Sequence, residues 1–319
     1  MRGSLPQALP ARVRTSACAH PSSQASLAAT LPQTSSTRRR ALLLSLPVTL
    51  LARRAVAAVS APESLARPPL LSDYAGDERL TDAQRLFTAA LDAHTVVEEE
   101  AGWTALVDKY GSCDAPWAPT LIAGVLGNRG NARSRQGKLR QAIEDYDAAV
   151  ALAPYAVDPI LNRGVVLEQL GEFDAAIADY ERVLALSPAD PAAFNNRGNA
   201  KMGKRDYTGA AKDYGRAVQL SPSFAFAGAN RAVALFAAGE RIESMRSMRA
   251  LLRRYPDFPE VRAALAAALW AEGSRAQAET EWLRVDDARY KDRAWLRADR
   301  RWPQPLADAL EALLDIRAA

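Results

Sequence analysis

Proline recurs every 34 residues, at Pro154, Pro188, Pro222 and Pro256, and the residues between keep step with it. Ala142, Ala176 and Ala210 hold the same interval, as do Tyr146, Tyr180 and Tyr214. Gly130, Gly164 and Gly198 recur in register, with Ala232 in the next equivalent place. Gly137 and Gly171 recur too, are skipped at Arg205, and resume at Gly239 and Gly273. A period of this length holds one supersecondary unit per repeat, which cannot bury its apolar face alone and is stable only when stacked on its neighbours. Ala, Leu, Arg and Glu dominate while β-branched and aromatic residues are sparse, so the repeating unit is helical.

Each recurring position has a physical reason. Gly or Ala in a first helix lets a second helix approach closely, and Ala142 and its equivalents do the same from the other side. Tyr146, Tyr180 and Tyr214 are expected to fill the space between neighbouring pairs, with Met248 and Trp282 in that place later on. Gly137 and its equivalents fall at the turn between helices, where positive φ is often needed. Pro154 and its successors stop each second helix. Together with the phrases Asn128-Arg-Gly, Asn162-Arg-Gly, Asn196-Arg-Gly and Asn230-Arg-Ala, this pattern resembles the tetratricopeptide repeat. The resemblance covers residues 123–292 and implies an all-α α-solenoid, a right-handed superhelix of helical hairpins. Complete repeats are expected at 123–156, 157–190, 191–224 and 225–258, followed by a diverged fifth at 259–292.

The flanks are read from local signals. Thr81-Asp-Ala-Gln84 has the form of a capping box opening a helix. Helices near 81–94 and 97–110 would make a degenerate pair, and with the connector Gly111–Pro119 they occupy 81–122. After the repeats, Trp302-Pro303 breaks the path, and Leu306, Leu310, Leu313 and Ile316 then share one helical face. Residues 293–319 are therefore expected to form C-terminal capping helices, because an open array must cover its last apolar surface. A docking helix for a partner is the alternative.

The charge is lopsided. The chain of 319 residues carries 41 Lys and Arg against 37 Asp and Glu, but eight Arg precede the first acid, Glu63. Residues 1–37 are rich in Ser, Thr, Ala and Pro with scattered Arg, the composition of a chloroplast transit peptide. Arg38-Arg39-Arg40, an apolar stretch from Ala41 to Ala52 and Ala55-Val-Ala-Ala58 follow, resembling a twin-arginine signal over 38–58, although Pro47 and Arg53-Arg54 interrupt the pattern. Such a bipartite leader resembles those that carry proteins into the thylakoid lumen, whereas a transit peptide alone would leave the product in the stroma or at the thylakoid surface. Residues 59–80 then read as a linker. Without the eight leader Arg, 33 basic residues face 37 acidic ones, a formal charge of −4. That removes the compositional reason to expect nucleic acid as a partner. No apolar run reaches the about 20 residues that span a bilayer, so no transmembrane helix is expected in the mature form.

Little in the sequence points to chemistry. Two Cys and two His exclude a disulfide framework and a Cys/His zinc site, and the leader holds Cys18 and His20. What remains is His94 and Cys113, with no nucleophile–base arrangement and no phosphate-binding loop. Glu98-Glu99-Glu100 reads as a solvated helix face. The expectation is a protein that is not an enzyme, with no cofactor, no metal and no small-molecule substrate.

Two sets of polar residues remain. Arg129, Arg163 and Arg197 are each followed 16 residues later by Asp145, Asp179 and Asp213, a separation that brings two helices of a hairpin together as structural ion pairs. The fourth repeat has Arg231 but Ser247, so the pattern lapses there. Asn128, Asn162, Asn196 and Asn230 form a ladder along the first helices, which line the partner-binding groove in the family. Either the amides pair with an extended peptide, or they bond helix to helix within the stack. The resemblance also places Leu161, Val165, Met202, Phe226, Val233, Phe236 and Trp270 on or near that groove, which suits an amphipathic helix or apolar peptide unless a terminal helix of the chain already fills it. The groove's N-terminal end is more polar, with Asn131, Ser134 and Arg135. A clamp for acidic chaperone tails is disfavoured. Asn131, Asn162 and Asn196 could serve it, but Gly127, Ala192 and Asn195 stand where Lys or Arg would be expected. The resulting expectation is a non-catalytic protein–protein interaction scaffold of the chloroplast, an assembly or maintenance factor for photosynthetic complexes or their intermediates. An organellar RNA-binding helical-repeat protein is the alternative.

Overall fold

Helices follow one another from Glu78 onward in the computed structural model, which describes residues 71–318. The leader segments expected at 1–37 and 38–58 lie outside the described residues, as does most of the linker. The described chain forms two compact units that divide at Arg163 and Gly164, within one helix.

The first unit opens with a single 3₁₀ turn, Leu71–Tyr74, and helices α1 (Glu78–Leu91) and α2 (Val96–Tyr110). Ordered structure thus begins inside the segment read as a linker ending at 80, because Leu71 and Tyr74 pack on the core of this unit. Thr81 is not the cap. Asp77 caps α1, its carboxylate accepting the Arg79 N–H at 2.8 Å, while the Thr81 hydroxyl bonds back to the Asp77 carbonyl from inside the first turn. The true capping box belongs to α2: Glu98 N–H donates to Thr95 Oγ1 at 3.2 Å, and the Glu98 carboxylate accepts the Thr95 N–H at 3.0 Å. Gly102 lets α1 and α2 cross closely, since a Cβ there would stand 2.8 Å from Ala90 Cβ.

Helix α3 (Ala118–Arg135) starts five residues before the expected 123, because Thr120, Leu121 and Ile122 are all buried in the first unit's core. It pairs with α4 (Leu139–Leu152), after which α5 (Val157–Gln169) crosses from one unit into the next. Glu99 and Glu100 of α2 are half-buried, not a solvated face. Glu99 binds Arg135 at 2.5 Å, and Glu100 takes Arg133, Gln136 and Lys138 at 2.9, 2.8 and 2.6 Å, tying α2 to the turn after α3. Desolvation pulls the Glu100 carboxyl upward, but these three donors outweigh it and hold its pKa at about 2. Cys113 is half-buried against the same core.

The second unit continues with α6 (Phe173–Leu186), α7 (Pro191–Gly203), α8 (Tyr207–Leu220), α9 (Ala225–Ala237), α10 (Arg241–Arg254), α11 (Pro259–Ala271) and the short α12 (Arg275–Trp282). Each hairpin turn of the repeats has the same construction: the amide three residues past the end of the first helix reaches back five residues, as in Glu172 N–H to Leu167 C=O and Asp206 N–H to Lys201 C=O. The residue before that amide is left-handed. Gly137, Gly171, Gly239 and Gly273 take φ of 75°, 79°, 90° and 77°, and Arg205 is forced to 62° in the one turn without glycine.

The tyrosines also pack within their own hairpins. They lie across the small residue of their own hairpin, where a Cβ on Gly130, Gly164 or Gly198 would be 2.7 Å from Cε1 of Tyr146, Tyr180 or Tyr214, and Tyr214 also shares a cluster with Ala234 and Leu235 of the next pair. Where Met248 replaces tyrosine, Ala232 replaces glycine. Ser244, in the place of Ala142, then spends its hydroxyl on the Ala232 carbonyl at 2.7 Å.

Beyond α12 come a 3₁₀ turn (Ala288–Lys291), a π turn (Trp295–Asp299) and helix α13 (Gln304–Ala318). Leu306, Leu310 and Leu313 are buried in a cluster that also holds residues of α11, so α13 covers the end of the array. Ile316 follows at the same spacing but is 58% exposed, one turn past buried Leu313.

Candidate functional site

Two of the three Arg–Asp pairs, 129/145 and 197/213, close inside their own hairpins. Arg129 of α3 grips Asp145 of α4 with two nitrogens, Nη2 at 2.7 Å and Nε at 3.1 Å, and Arg133 adds a third contact at 3.0 Å. Asp145 is 1% exposed, and burial pushes its carboxyl above the usual range even though Arg129 and Arg133 pull it down. Arg197 binds Asp213 in the same two-pronged way, at 2.7 and 2.8 Å, and Lys201 joins at 2.7 Å. Arg163 reaches Asp147 at 2.6 Å, a carboxylate two residues past Asp145, and Asp179 is buried in the second unit. In the fourth repeat Arg231 lies 3.4 Å from the Ser247 hydroxyl and 3.6 Å from Glu243. Forked guanidinium–carboxylate pairs at this depth fix the mutual position of two helices.

The asparagines bond from helix to helix. In the first unit Asn162 Nδ2 donates to Asn131 Oδ1 at 2.9 Å, and the same oxygen accepts the Tyr146 hydroxyl at 2.8 Å. In the second unit Asn195 Nδ2 donates to Asn196 Oδ1 at 3.2 Å, Asn230 Nδ2 donates to Asn195 Oδ1 at 3.3 Å, and Arg300 Nη2 donates to Asn230 Oδ1 at 2.9 Å. Asn199 accepts the Tyr214 hydroxyl at 2.8 Å, and where the repeat has Val165 instead of an amide, the Tyr180 hydroxyl turns to Glu168 at 3.5 Å. Asn128 and Asn196 are half-buried. Of the two readings of the ladder, helix-to-helix bonding is what the geometry of Asn162 and Asn230 displays.

The apolar groove expected in the second unit is occupied. Val233, Phe236 and Trp270 are 4%, 2% and 6% exposed, and they share one cluster with Leu306, Leu310 and Leu313 of α13. Met202 and Phe226 pack half-buried against that cluster, Phe226 edge-to-face with Phe258 at 5.3 Å. Arg275 stacks over Trp270 at 4.1 Å and Arg241 over Phe236 at 5.3 Å. A partner therefore does not find these residues open: they are enclosed in a cluster shared by α9, α11 and α13. In the first unit and at its boundary, Leu161 and Val165 are nearly buried, at 9% and 7%.

What the sequence pattern did not single out is a set of charged residues on the same face. Glu260 opens α11 almost fully buried and pairs with Arg300, while Arg301 Nη1 lies 3.5 Å from the Glu168 carbonyl. Two signals were available: an acid at the head of a helix that is otherwise almost uncharged, and Arg300-Arg301 immediately before Trp302-Pro303. Among the described residues no group of three or more His, Cys, Asp or Glu is arranged to hold a metal, and no helix is long and apolar enough to cross a membrane.

Comparison with known proteins agrees with this architecture. The tetratricopeptide repeat family model matches residues 128–191. A tetratricopeptide repeat protein from Parabacteroides merdae superposes with a TM-score of 0.57 at 20% identity, over 75% of this chain and 100% of its own. The APC/C hetero-tetramer Cut9–Hcn1 gives a TM-score of 0.53 at 17% identity, over 76% of this chain and 44% of that one. No curated protein sequence matches. At these identities the likeness establishes the fold, an all-α stack of helical hairpins of the solenoid class. Residues 128–191 match the tetratricopeptide repeat model, and the 34-residue register of that segment continues through Pro256.

Proposed function

We propose that this protein is a non-catalytic scaffold that binds other proteins through the first helices of its hairpins. The observation that carries the reading is the division of labour between charges. The Arg–Asp pairs at 129/145 and 197/213 are consumed in holding hairpins together, whereas the amides of Asn195, Asn196 and Asn230 run along the first helices and end on a side chain from a distant segment. A face that already seats one foreign side chain is built to seat others.

The leader composition supports a chloroplast protein delivered to the thylakoid lumen, with the stroma as the other destination, and hence a role in assembling or maintaining photosynthetic complexes. Cross-linking in solubilised thylakoids followed by identification of the captured chains tests the scaffold. Recovery of defined membrane-complex subunits is the expected result, and recovery of RNA without protein would overturn it. Import into chloroplasts whose proton gradient has been collapsed tests the destination: protease-protected mature protein in those thylakoids would remove the twin-arginine route.

One observation favours the RNA reading. Arg246, Arg249 and Arg253 are all exposed on α10. An RNA affinity that falls steeply with salt and is lost in an Arg249→Gln, Arg253→Gln variant would establish it.

A further inference from the structure

Polar groups from three first helices of the second unit converge on one turn of the C-terminal segment. Glu260 of α11 is 5% exposed and forms an ion pair with Arg300. Asn230 of α9 accepts a hydrogen bond from the same nitrogen, Nη2, at 2.9 Å, and is itself tied to Asn195 of α7 at 3.3 Å. Arg301 projects toward the Glu168 carbonyl at the end of α5. Trp302 follows, 5% exposed, against Tyr290 at 5.9 Å. The one cation of α11, Arg262, is already committed to Glu281 at 2.7 Å and to the Pro256 carbonyl at 2.5 Å, so Glu260 is left to a cation from outside the helix.

Capping alone does not call for this turn. The apolar end of the array is covered by Leu306, Leu310 and Leu313 of α13, and a cap of that kind needs no buried guanidinium. The turn is also the least satisfied part of the unit. Arg301 is held in the left-handed region at φ 53°, the preceding residues form a π turn, and Trp302 N–H bonds to the carbonyl of Leu296, one residue wider than the five-residue closure of the hairpin turns. Arg300 Nε, Trp302 Nε1 and, despite its ion pair with Arg300, Glu260 Oε1 are buried without a hydrogen-bond partner. Strained backbone and unmet donors persist only where surrounding contacts hold them, and here those contacts are the ones to Glu260 and Asn230.

We propose that Glu260 and Asn230, backed by Asn195 and Glu168, form a guanidinium-binding site on the first-helix face of the second unit, which Arg300 fills in cis. A protein partner enters by presenting an arginine with an aromatic or apolar residue two positions on, displacing the turn at 300–302 while α13 stays seated. The inference rests on the scaffold reading and adds the chemistry of the ligand and the element that competes with it. Both contacts are made by one nitrogen, Nη2, so the ligand must bring a cationic nitrogen that reaches a carboxylate and an amide oxygen at once. The cis turn lowers the partner's apparent affinity by the fraction of time it occupies the site.

The test uses the full chain and a synthetic peptide of residues 298–304, Ala-Asp-Arg-Arg-Trp-Pro-Gln, followed by isothermal titration. Arg300→Ala should bind the peptide about tenfold more tightly than the unaltered chain, because the competitor is gone. Citrulline in place of the peptide's first arginine, or Glu260→Gln added to the protein, should abolish the gain. Arg300→Lys keeps the charge pair and so the fold, and should show an intermediate affinity. If Arg300→Ala or Arg300→Lys keeps the helical content and melting cooperativity of the unaltered chain but binds no more tightly, the pair is a structural cap and the proposal fails. Should Arg300→Ala not fold, the Arg300→Lys result decides alone. Partner capture in thylakoid cross-linking that is indifferent to all these variants would leave the scaffold standing and remove only the guanidinium site; capture of no protein at all would instead remove the scaffold.

Discussion

Replacing Arg205 by glycine should stabilise the protein, and the size of the gain follows from the backbone. Arg205 occupies the turn position that is glycine in four other hairpins and holds φ at 62°. The left-handed conformation costs an L-residue about 1–2 kcal/mol. Glycine removes that cost, but its extra freedom in the unfolded chain takes back about 0.4–1 kcal/mol. The balance favours the variant by about 0.5–1 kcal/mol, a two- to fivefold shift toward the folded state. Side-chain losses do not alter the sign, because Arg205 is exposed and the capping of α8 rests on Asp206, which accepts the Gly209 N–H at 2.9 Å. The assay is equilibrium unfolding in guanidinium followed by helical circular dichroism. The midpoint should rise at constant slope. The reciprocal change, Gly171→Arg, should lower it by more than Arg205→Gly raises it, since no packing partner awaits the new side chain and a Cβ there meets nothing. A lowered midpoint for Arg205→Gly, with the slope unchanged, would refute the account and show that the arginine itself carries stability.

Three further outcomes are expected. Gly164→Ala drives a Cβ to 2.7 Å from the Tyr180 ring and should cost about 1–3 kcal/mol by denaturation; adding Tyr180→Met, as Ala232 and Met248 do naturally, should recover much of it, so additive losses would argue against the pairing. Arg129→Met leaves the carboxylate of Asp145 buried beside Arg133 alone and should cost about 3 kcal/mol, whereas Arg129→Met with Asp145→Leu should be nearer neutral, measured as unfolding midpoints. Glu100 has its folded pKa depressed from 4.5 to about 2, so its network adds stability above pH 4.5 that is lost as the pH falls toward 2. Glu100→Gln should flatten the acid limb of a melting-temperature profile, and an unchanged limb would show that the network is not coupled to folding.

The repeat was legible because everything that makes a helical hairpin is local. Proline, the turn glycine, the close-packed glycine and the tyrosine over it lie within one 34-residue period, and their spacing dictates contact once the chain is helical. The Arg–Asp spacing of 16 belongs to the same class, and it places Arg129 on Asp145 and Arg197 on Asp213. The boundary signals misled where a competing residue stood close by. Asp77 takes the cap that Thr81 offered, and α3 begins before 123 because buried Leu121 and Ile122 extend it. Glu99 and Glu100 looked solvated because their partners Arg135, Arg133 and Lys138 lie more than 30 residues away.

The amino-acid sequence by itself determined the helical hairpin, its period and the internal ion pairs, since these depend on separations shorter than one repeat. Only the tertiary structure decided which first-helix residues remain available. Val233, Phe236 and Trp270 have the composition of an open apolar groove, yet α13 returns from the end of the chain to bury them, and Arg300 crosses 70 residues of sequence to reach Asn230. Exposure is a property of what the rest of the chain covers, and for the last turns of an open stack that cover is supplied by the segment farthest away in sequence.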